Sequence, residues 1–541
     1  MLTISALIGG GSFLFFHGAA ILDPKNVQWL LSGDPATHFF GWAFYNRIDS
    51  SLTLPSEVSL GYIYPMPVNM AYTDSLPIYS FIMSFISPTH AVVQYSGLWL
   101  LICFTLQGFF ACKIAQHLQL HPIVTVAFTL FCIFQAAFVT RVAHLALCGH
   151  FLILAAIYLF LSETEKKRDI FYWSILLLFV SGVHPYLAMM VLFIALGKVV
   201  FEANISVRNR LTKFVFFIST CLGAFLFFGY FSVDAIKNVD AKIGYYGADL
   251  FSFVHSSDHS LLFPSLWKPR MGSYEGYSFL GFGLLILIAY VFYRRKKEPF
   301  LLLENEWIRK LAMLAFLLWI YALGSNIRVF GFWIVNLEFL YEKFNFLFGS
   351  FRATGRFIWP MLYLIILVTM VALNRYRQDK RVLALIVIAV FLQIIDVSKS
   401  LKRTEELKAG GRIQSSIYDK MEIIIGDVRK FKSVELIPPF IQPTNCVLNS
   451  PFDINAYIAF AYYALKTDAM VNSGISARKT KKDIEETCGL AVENFKSARY
   501  DPDSLYILDS VWAKEQMPKK ALKKLKCIPV DRYLACYSDD V

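Results

Sequence analysis

Charge is what this sequence has least of. Only 17% of its 541 residues are Asp, Glu, Lys or Arg, against roughly 25% in ordinary globular proteins. Hydrophobic residues make up 56% and aromatics 16%, and mean hydropathy is +0.51. A water-soluble surface cannot be built from that balance, so a soluble cytoplasmic enzyme is excluded and a lipid bilayer must solvate much of the chain. No Lys or Arg precedes Lys25, so the N-terminal apolar segment lacks the basic start of a cleavable export signal and reads as a retained span. No repeat of roughly 20 to 50 residues and no low-complexity linker is visible. The excess of 52 Lys+Arg over 40 Asp+Glu gives a net charge of +12. These basic residues fall between apolar segments rather than among exposed aromatics, so no nucleic-acid partner is implied.

A helix needs about 20 apolar residues to cross a bilayer. Eleven segments are candidates: 2–21, 91–113, 122–140, 147–163, 170–184, 185–203, 213–231, 277–293, 308–324, 357–374 and 381–397. The 170–184 segment is short, and Pro185 could instead kink one long helix, which would invert everything downstream. Charge arbitrates. Lys166-Lys167-Arg168, Arg208 with Arg210 and Lys213, Arg294-Arg295-Lys296-Lys297, and Arg375 with Arg377, Lys380 and Arg381 share one side only if 170–203 crosses twice. By the positive-inside rule that side is the cytoplasm. The expected protein is therefore an α-helical polytopic membrane protein with about 11 transmembrane helices, its N-terminus cytoplasmic. Residues 1–398 form the membrane domain, with long outer segments 22–90, 232–276 and 325–356, and residues 399–541 form a soluble extracytoplasmic tail.

The tail holds four of the nine cysteines, Cys446, Cys488, Cys527 and Cys536, an even set that in an exported domain reads as two disulfides. In Cys527-Ile-Pro-Val-Asp-Arg-Tyr-Leu-Ala-Cys536, a two-residue turn at Asp531-Arg532 pairs Val530 with Tyr533 and hence Cys527 with Cys536. The tail is expected to carry that bridge and a second between Cys446 and Cys488. Short β-like runs at 434–437 and 505–508 alternate with helical stretches at 454–465 and 481–497, as in a small α/β domain. It shows no glycine-rich phosphate loop, metal-ligand spacing or nucleophile elbow, which suits an accessory or acceptor-shaping role.

The middles of the eleven segments contain no Asp, Glu, Lys or Arg, which argues against an ion or proton path and towards chemistry at the membrane surface. Polar residues gather at the outer ends instead. Asp34 stands before Pro35 at the start of an aromatic amphipathic stretch suited to the interface, where it serves either as a helix cap or as a functional acid. Asp74, in Tyr72-Thr73-Asp74-Ser75-Leu76-Pro77, carries the same two readings. Arg141, His144 and His150 crowd one short turn, and Arg141 and His144, three apart, could together meet a phosphate. His184 lies at the next outer turn. Glu275 precedes the eighth segment, and Arg352 and Arg356, four apart at the start of the tenth, place two guanidinium forks on one helix face as a phosphate clamp.

Taken together, Gly33-Asp34-Pro35 with Trp42 and Tyr45, Tyr72-Thr73-Asp74-Ser75, Arg141 to His150, Tyr274-Glu275-Gly276 and Phe351-Arg352-Ala353-Thr354-Gly355-Arg356 resemble the GT-C superfamily of membrane glycosyltransferases, in a bacterial branch. The resemblance implies a GT-C-like fold and transfer of a sugar from a polyprenyl-phosphate donor on the outer face of the inner membrane. The acceptor would be a cell-envelope glycan or lipid-linked glycan, for example an O-antigen. It implies Asp34 as the base, with Asp74 and Glu275 as the alternatives, and Arg141, Arg352 and Arg356 on the carrier phosphate. Asp74, Glu275, His144, His150 and His184 would bind substrate. Asp34 is not part of an acidic doublet, which leaves the exact base and any divalent-metal requirement open; no required cofactor is evident in the sequence. Two other classes compete: a flippase or exporter of lipid-linked glycans, and an outer-face acyltransferase using Arg141 and His144.

Overall fold

A computed structural model describes the chain except for residues 49–53, 57–60, 67, 89, 163–165, 204, 233–243, 269–271, 344–350, 426–429, 443–445, 447–450, 478–480 and 539–541. All eleven apolar segments are helical. They form Leu2–His17, Ser96–His117, Pro122–Ile133, Phe151–Leu161, Lys166–Ser181, Pro185–Phe201, Val207–Phe227, Phe282–Lys297, Glu306–Ala322, Trp359–Asn374 and Lys380–Val397. Among the described residues, five stretches are long and apolar enough to cross a membrane: Ser96–His117, Pro122–Ala143, Val207–Phe227, Thr354–Asn374 and Lys380–Ser400. Leu2–His17, Leu145–Leu161 and Pro185–Phe201 are apolar but shorter. The remaining helices carry charge in an end turn: Asp169 in one, Arg294 to Lys297 in another, Glu306 in the third. The chain is thus a multi-pass membrane protein.

Close packing in the bundle relies on small residues, as expected where lipid and side chains are equally apolar. Leu2–His17 lies along Ser96–His117, and a Cβ on Gly9 would collide with the Phe104 carbonyl. Pro185 does not kink one long helix. The first helix stops at Ser181, His184 caps the next by accepting the Tyr186 N–H at 3.2 Å, and Pro185 sits in its first turn. The two helices pack against each other as a hairpin.

Outside the bundle, β1 (Asn326–Val329) and β2 (Phe332–Asn336) form an antiparallel hairpin. The tail contains β3 (Ser433–Ile437), β4 (Ile441–Gln442), β5 (Met470–Val471), β6 (Gly474–Ile475), β7 (Ser504–Asp509), β8 (Leu525–Val530) and β9 (Tyr533–Ser538). Its five-stranded sheet runs β5-β3-β7-β9-β8, parallel across β5, β3 and β7 and antiparallel thereafter. In the β8–β9 hairpin Val530 faces Tyr533 and Cys527 faces Cys536. The Cys527–Cys536 and Cys446–Cys488 bonds are both closed.

The tail does not stand apart from the membrane domain. Val471 donates to the Gly61 carbonyl and accepts from Tyr64 N–H, both at 2.8 Å, and Ala477 N–H donates to the Tyr72 carbonyl at 2.7 Å. The Tyr62 and Tyr457 hydroxyls are hydrogen-bonded. The Arg47 guanidinium reaches the carbonyls of Ala464, Leu465 and Ala469 at the end of helix Ile454–Lys466.

Candidate functional site

Neither Asp34 nor Asp74 is the N-cap of the helix that follows it. Asp34 is the first residue of helix Asp34–Tyr45, whose N-cap is Gly33 at φ +59 with no side-chain cap bond. The half-exposed Asp34 carboxylate instead lies 3.0 Å from His144 Nε2. The helix does not turn an apolar face outward to lipid as its amphipathic pattern suggested. Pro35 to Tyr45 are all buried, because the tail helix Ile454–Lys466 and the Met70–Thr73 turn pack against it. Asp74 follows that turn in the left-handed conformation (φ 54), and Leu76, two residues on, repeats it (φ 53) and is itself the N-cap of helix Pro77–Ser84. Two such non-glycine residues in three positions are backbone strain of the kind held at functional sites.

Gly41 explains how the two acids approach each other. A Cβ there would collide with Thr73 Oγ1 and Ser75 Oγ, so only glycine lets the Asp74 segment close onto the Asp34 helix. Ser75 Oγ then donates to the His38 carbonyl at 2.7 Å. His38 lies one helical turn after Asp34, on the same face, and burial lowers its pKa to about 4, against the opposing pull of Asp74. Its Nδ1 is buried with no hydrogen-bond partner among the described residues. His184 Nε2 lies 3.6 Å from Asp74 Oδ1, and burial lowers its pKa to about 3. For Asp34, burial pushes the pKa up, but the hydrogen bond and electrostatic attraction of His144, with that of His38, outweigh it and hold the carboxyl at about 2.

His38, Asp74 and His144 each offer one ligand atom, all within 4.8 Å of one another. Two imidazoles and a carboxylate are a donor set for a divalent transition metal. The unpartnered His38 nitrogen fits that use, as does the Asp34 carboxylate, which orients His144 as outer carboxylates orient metal-bound histidines. No sequence signal beyond its place one turn after Asp34 marks His38.

The basic residues are arranged differently from the sequence-based expectation. Glu275 does not project as a sugar ligand. Arg356 grips it through two bonds, Nε to Oε2 at 2.8 Å and Nη2 to Oε1 at 2.6 Å, and Arg141 Nη1 reaches Oε2 at 3.1 Å. All three are buried. Burial raises the Glu275 pKa, but Arg356 and Arg141 outweigh it and hold the carboxyl well below the usual range. Arg352 and Arg356 do not share a helix face, because residues Thr354–Ile358 form a 3₁₀ turn and the α-helix starts only at Trp359. Arg352 is exposed, its guanidinium 5.2 Å from the Tyr246 ring centre. His150 lies inside the bundle, bonded through Nδ1 to the Tyr363 hydroxyl at 2.7 Å and packed 4.3 Å from the Trp359 ring, and it is fully buried, out of a substrate's reach.

Asp34, His38, Asp74, His144, His184, Glu275, Arg141 and Arg356 thus form one electrostatic cluster drawn from five segments. It lies at the helix ends opposite the basic loops. The family model described as domain of unknown function (DUF6311) matches residues 6–398, and that described as DUF6311 C-terminal domain matches residues 426–538. No curated protein matches the chain. Among solved structures it is similar to the Archaeoglobus fulgidus oligosaccharyltransferase in the apo form, with 11% identity and a TM-score of 0.44 over 100% of this chain and 75% of that one. It is also similar to the oligosaccharyltransferase AglB of the same organism in complex with an inhibitory peptide and a dolichol-phosphate, with 11% identity and a TM-score of 0.43 over 100% and 74%.

Proposed function

The chain belongs to the DUF6311 family, and from that premise we propose that it is a GT-C-type membrane glycosyltransferase. In this reading it moves a sugar from a polyprenyl-phosphate donor to an envelope or lipid-linked glycan on the outer face of a bacterial inner membrane. The observation that carries the reading is the Asp34–His144 and Asp74–His184 pairing, two solvent-accessible acids beside a half-buried and a buried imidazole and backed by two arginines. A lipid-phosphate sugar already carries its leaving group, so the protein must accept a proton from the acceptor hydroxyl and stabilise the departing phosphate.

Asp34 is the accessible carboxylate and acts as the base. Held near 2, it is a weak one. It orients the hydroxyl by accepting its hydrogen bond and takes the proton late, when bond formation to the sugar has made that proton acidic. Arg352, exposed and without an ion pair among the described residues, meets the phosphate. Arg141 and Arg356 act at one remove by fixing the Glu275 turn. A divalent cation held by His38, Asp74 and His144 would neutralise phosphate charge.

Asp34→Asn tests the reading, because it keeps the size of the side chain and an acceptor for His144 while removing basicity. The variant should insert and bind donor normally yet transfer roughly a hundredfold or more slowly. Mass spectrometry of envelope glycans made with and without the protein reads the product directly. An added sugar supports the assignment, whereas an added acyl group or an unmodified glycan retained on the inner side removes it.

A further inference from the structure

An antiparallel hairpin ordinarily turns one apolar face to a core and one polar face to water, and the β1–β2 hairpin does not. Phe332, Trp333, Ile334 and Val335 follow one another along β2 and are 64%, 58%, 62% and 40% exposed. Side chains alternate across a strand, so Phe332 and Ile334 lie on one face, Trp333 and Val335 on the other, and both faces are apolar. Phe330 at the tip is exposed as well, as are Phe339 and Leu340 just beyond the hairpin. Residues 329–337 include no Asp, Glu, Lys or Arg. A contiguous uncharged patch of this kind marks an interaction surface.

The hairpin is pinned in place. Val329 faces Phe332, so Phe330 and Gly331 form a two-residue turn, at φ 52 and 80, the signs a hairpin turn of this length requires. Positive φ is strained for Phe. It is held by Phe251, stacked at 4.6 Å and 8° from parallel, and by Trp267, edge-on at 5.1 Å. The Gly331 N–H donates to buried Asp249 at 2.7 Å, the Leu250 N–H to the Arg328 carbonyl at 2.9 Å, and the Leu337 N–H to the Ser325 carbonyl at 2.7 Å. What covers the patch follows from where it is mounted. β1 begins shortly after helix Glu306–Ala322, at the end remote from Arg309 and Lys310. That helix exposes Met313, Phe316, Leu317 and Ile320 along one stripe, which in a multi-pass membrane protein faces lipid, and the hairpin continues it. Its Phe and Trp side chains suit the interface between hydrocarbon and water. Among the described residues β2 is the open edge of a two-stranded sheet. Hydrocarbon would leave that edge unsatisfied, whereas water and lipid oxygens at headgroup depth satisfy it. Lys268, exposed beside Gly331, is placed for a headgroup phosphate.

We propose that the β1–β2 hairpin is a membrane-interface anchor, inserted into the leaflet at the end of helix Glu306–Ala322 remote from the basic loops, with lipid against both of its faces and its open edge among the headgroups. The Thr354–Ile358 turn packs on the same helix, so the anchor sets the depth of the segment that carries Arg352 and Arg356. That this depth serves a lipid-phosphate donor rests on the glycosyltransferase reading; insertion of the hairpin does not.

The test uses the full chain in lipid nanodiscs, one copy per disc, with a fluorophore on Ile334→Cys or, for the opposite face, on Val335→Cys. The five native free cysteines are buried, so the labelled parent gives the background. Leu317→Cys on the helix stripe is the lipid reference, and Val511→Cys, exposed on the tail, is the water reference. Doxyl-labelled lipid should quench both hairpin labels to within about twofold of the 317 label, and iodide should quench them at least about fivefold less than the 511 label. Iodide quenching at the 511 level, shielding of one face only, or shielding from iodide without doxyl quenching, as a covering protein or a second copy would give, would each overturn the proposal. Phe332→Cys and Trp333→Cys repeat the two faces should either variant fail to fold. Ile334→Asp separates the two readings. With the melting temperature in detergent unchanged, it should raise iodide quenching of the 335 label at least about threefold by drawing the strand into water. Raised iodide access with donor use unchanged leaves the anchor and removes its role at the donor. Absence of transfer in every form of the protein removes the transferase, and the quenching still decides the anchor.

Discussion

Glu275 joins two guanidiniums that have no other carboxylate among the described residues, and its consequences are those of a buried ion triad. Removing its charge leaves Arg141 and Arg356 facing each other out of water, a loss of about 3–5 kcal/mol. Glu275→Gln should therefore unfold at markedly lower temperature or denaturant. Arg352→Ala should do the reverse: being exposed, it should change stability by no more than about 0.5 kcal/mol. Its use of the lipid-phosphate donor should nevertheless weaken by roughly 1.5–3 kcal/mol. Unfolding curves and donor titrations on the two variants check the contrast. If Glu275→Gln is as stable as the parent and loses only turnover, the triad is catalytic rather than architectural.

Between elements, the decisive contact is that of helix Asp34–Tyr45 with the Thr73–Ser75 segment at Gly41. Gly41→Ala places a methyl against two hydroxyl groups and should cost about 1–3 kcal/mol by overpacking, separating Asp74 from His38 and lowering transfer further than the stability change alone. Gly223→Ala is the control, since nothing lies within 4 Å of its added carbon; it should be neutral or slightly stabilising. Equal behaviour of the two variants in transfer assays would mean that the Gly41 contact does not set the site. The helices themselves were legible because long apolar runs announce them, and the β8–β9 hairpin because its turn and cysteine spacing agree. The pairings were not. Asp34 meets His144, and Glu275 meets Arg141 and Arg356, across chain separations that no local pattern encodes. The expected Arg352–Arg356 clamp failed for a local reason: Pro360 sits in the first turn of its helix, so the preceding residues never gain α-helical spacing.

At the scale of the whole molecule, every charged member of the cluster lies in residues 34–356, yet the segment that carries Asp34, His38 and Asp74 is held from the tail. Ala477 bonds to Tyr72 two residues before Asp74, Val471 pairs with residues 61 and 64, and Arg47 closes on the end of helix Ile454–Lys466. The tail therefore acts as a clamp on the first outer segment rather than as an appended module. Arg47→Ala deletes a charged donor serving several helix-end carbonyls and should weaken this docking by about 1.5–3 kcal/mol. Amide exchange in residues 61–74 and 470–477 should then rise together while the helices of the bundle stay protected. Turnover should fall, with donor affinity less affected, because Arg352, the proposed phosphate contact, lies on a segment that takes no part in these clamp bonds. A chain ending at residue 398 should show the same pattern in full, with the bundle inserted, the first outer segment exchanging freely and no transfer. Should that shortened chain transfer sugar at the parent rate with residues 61–74 still protected, the tail's role would have to be sought at the acceptor instead of at the acids.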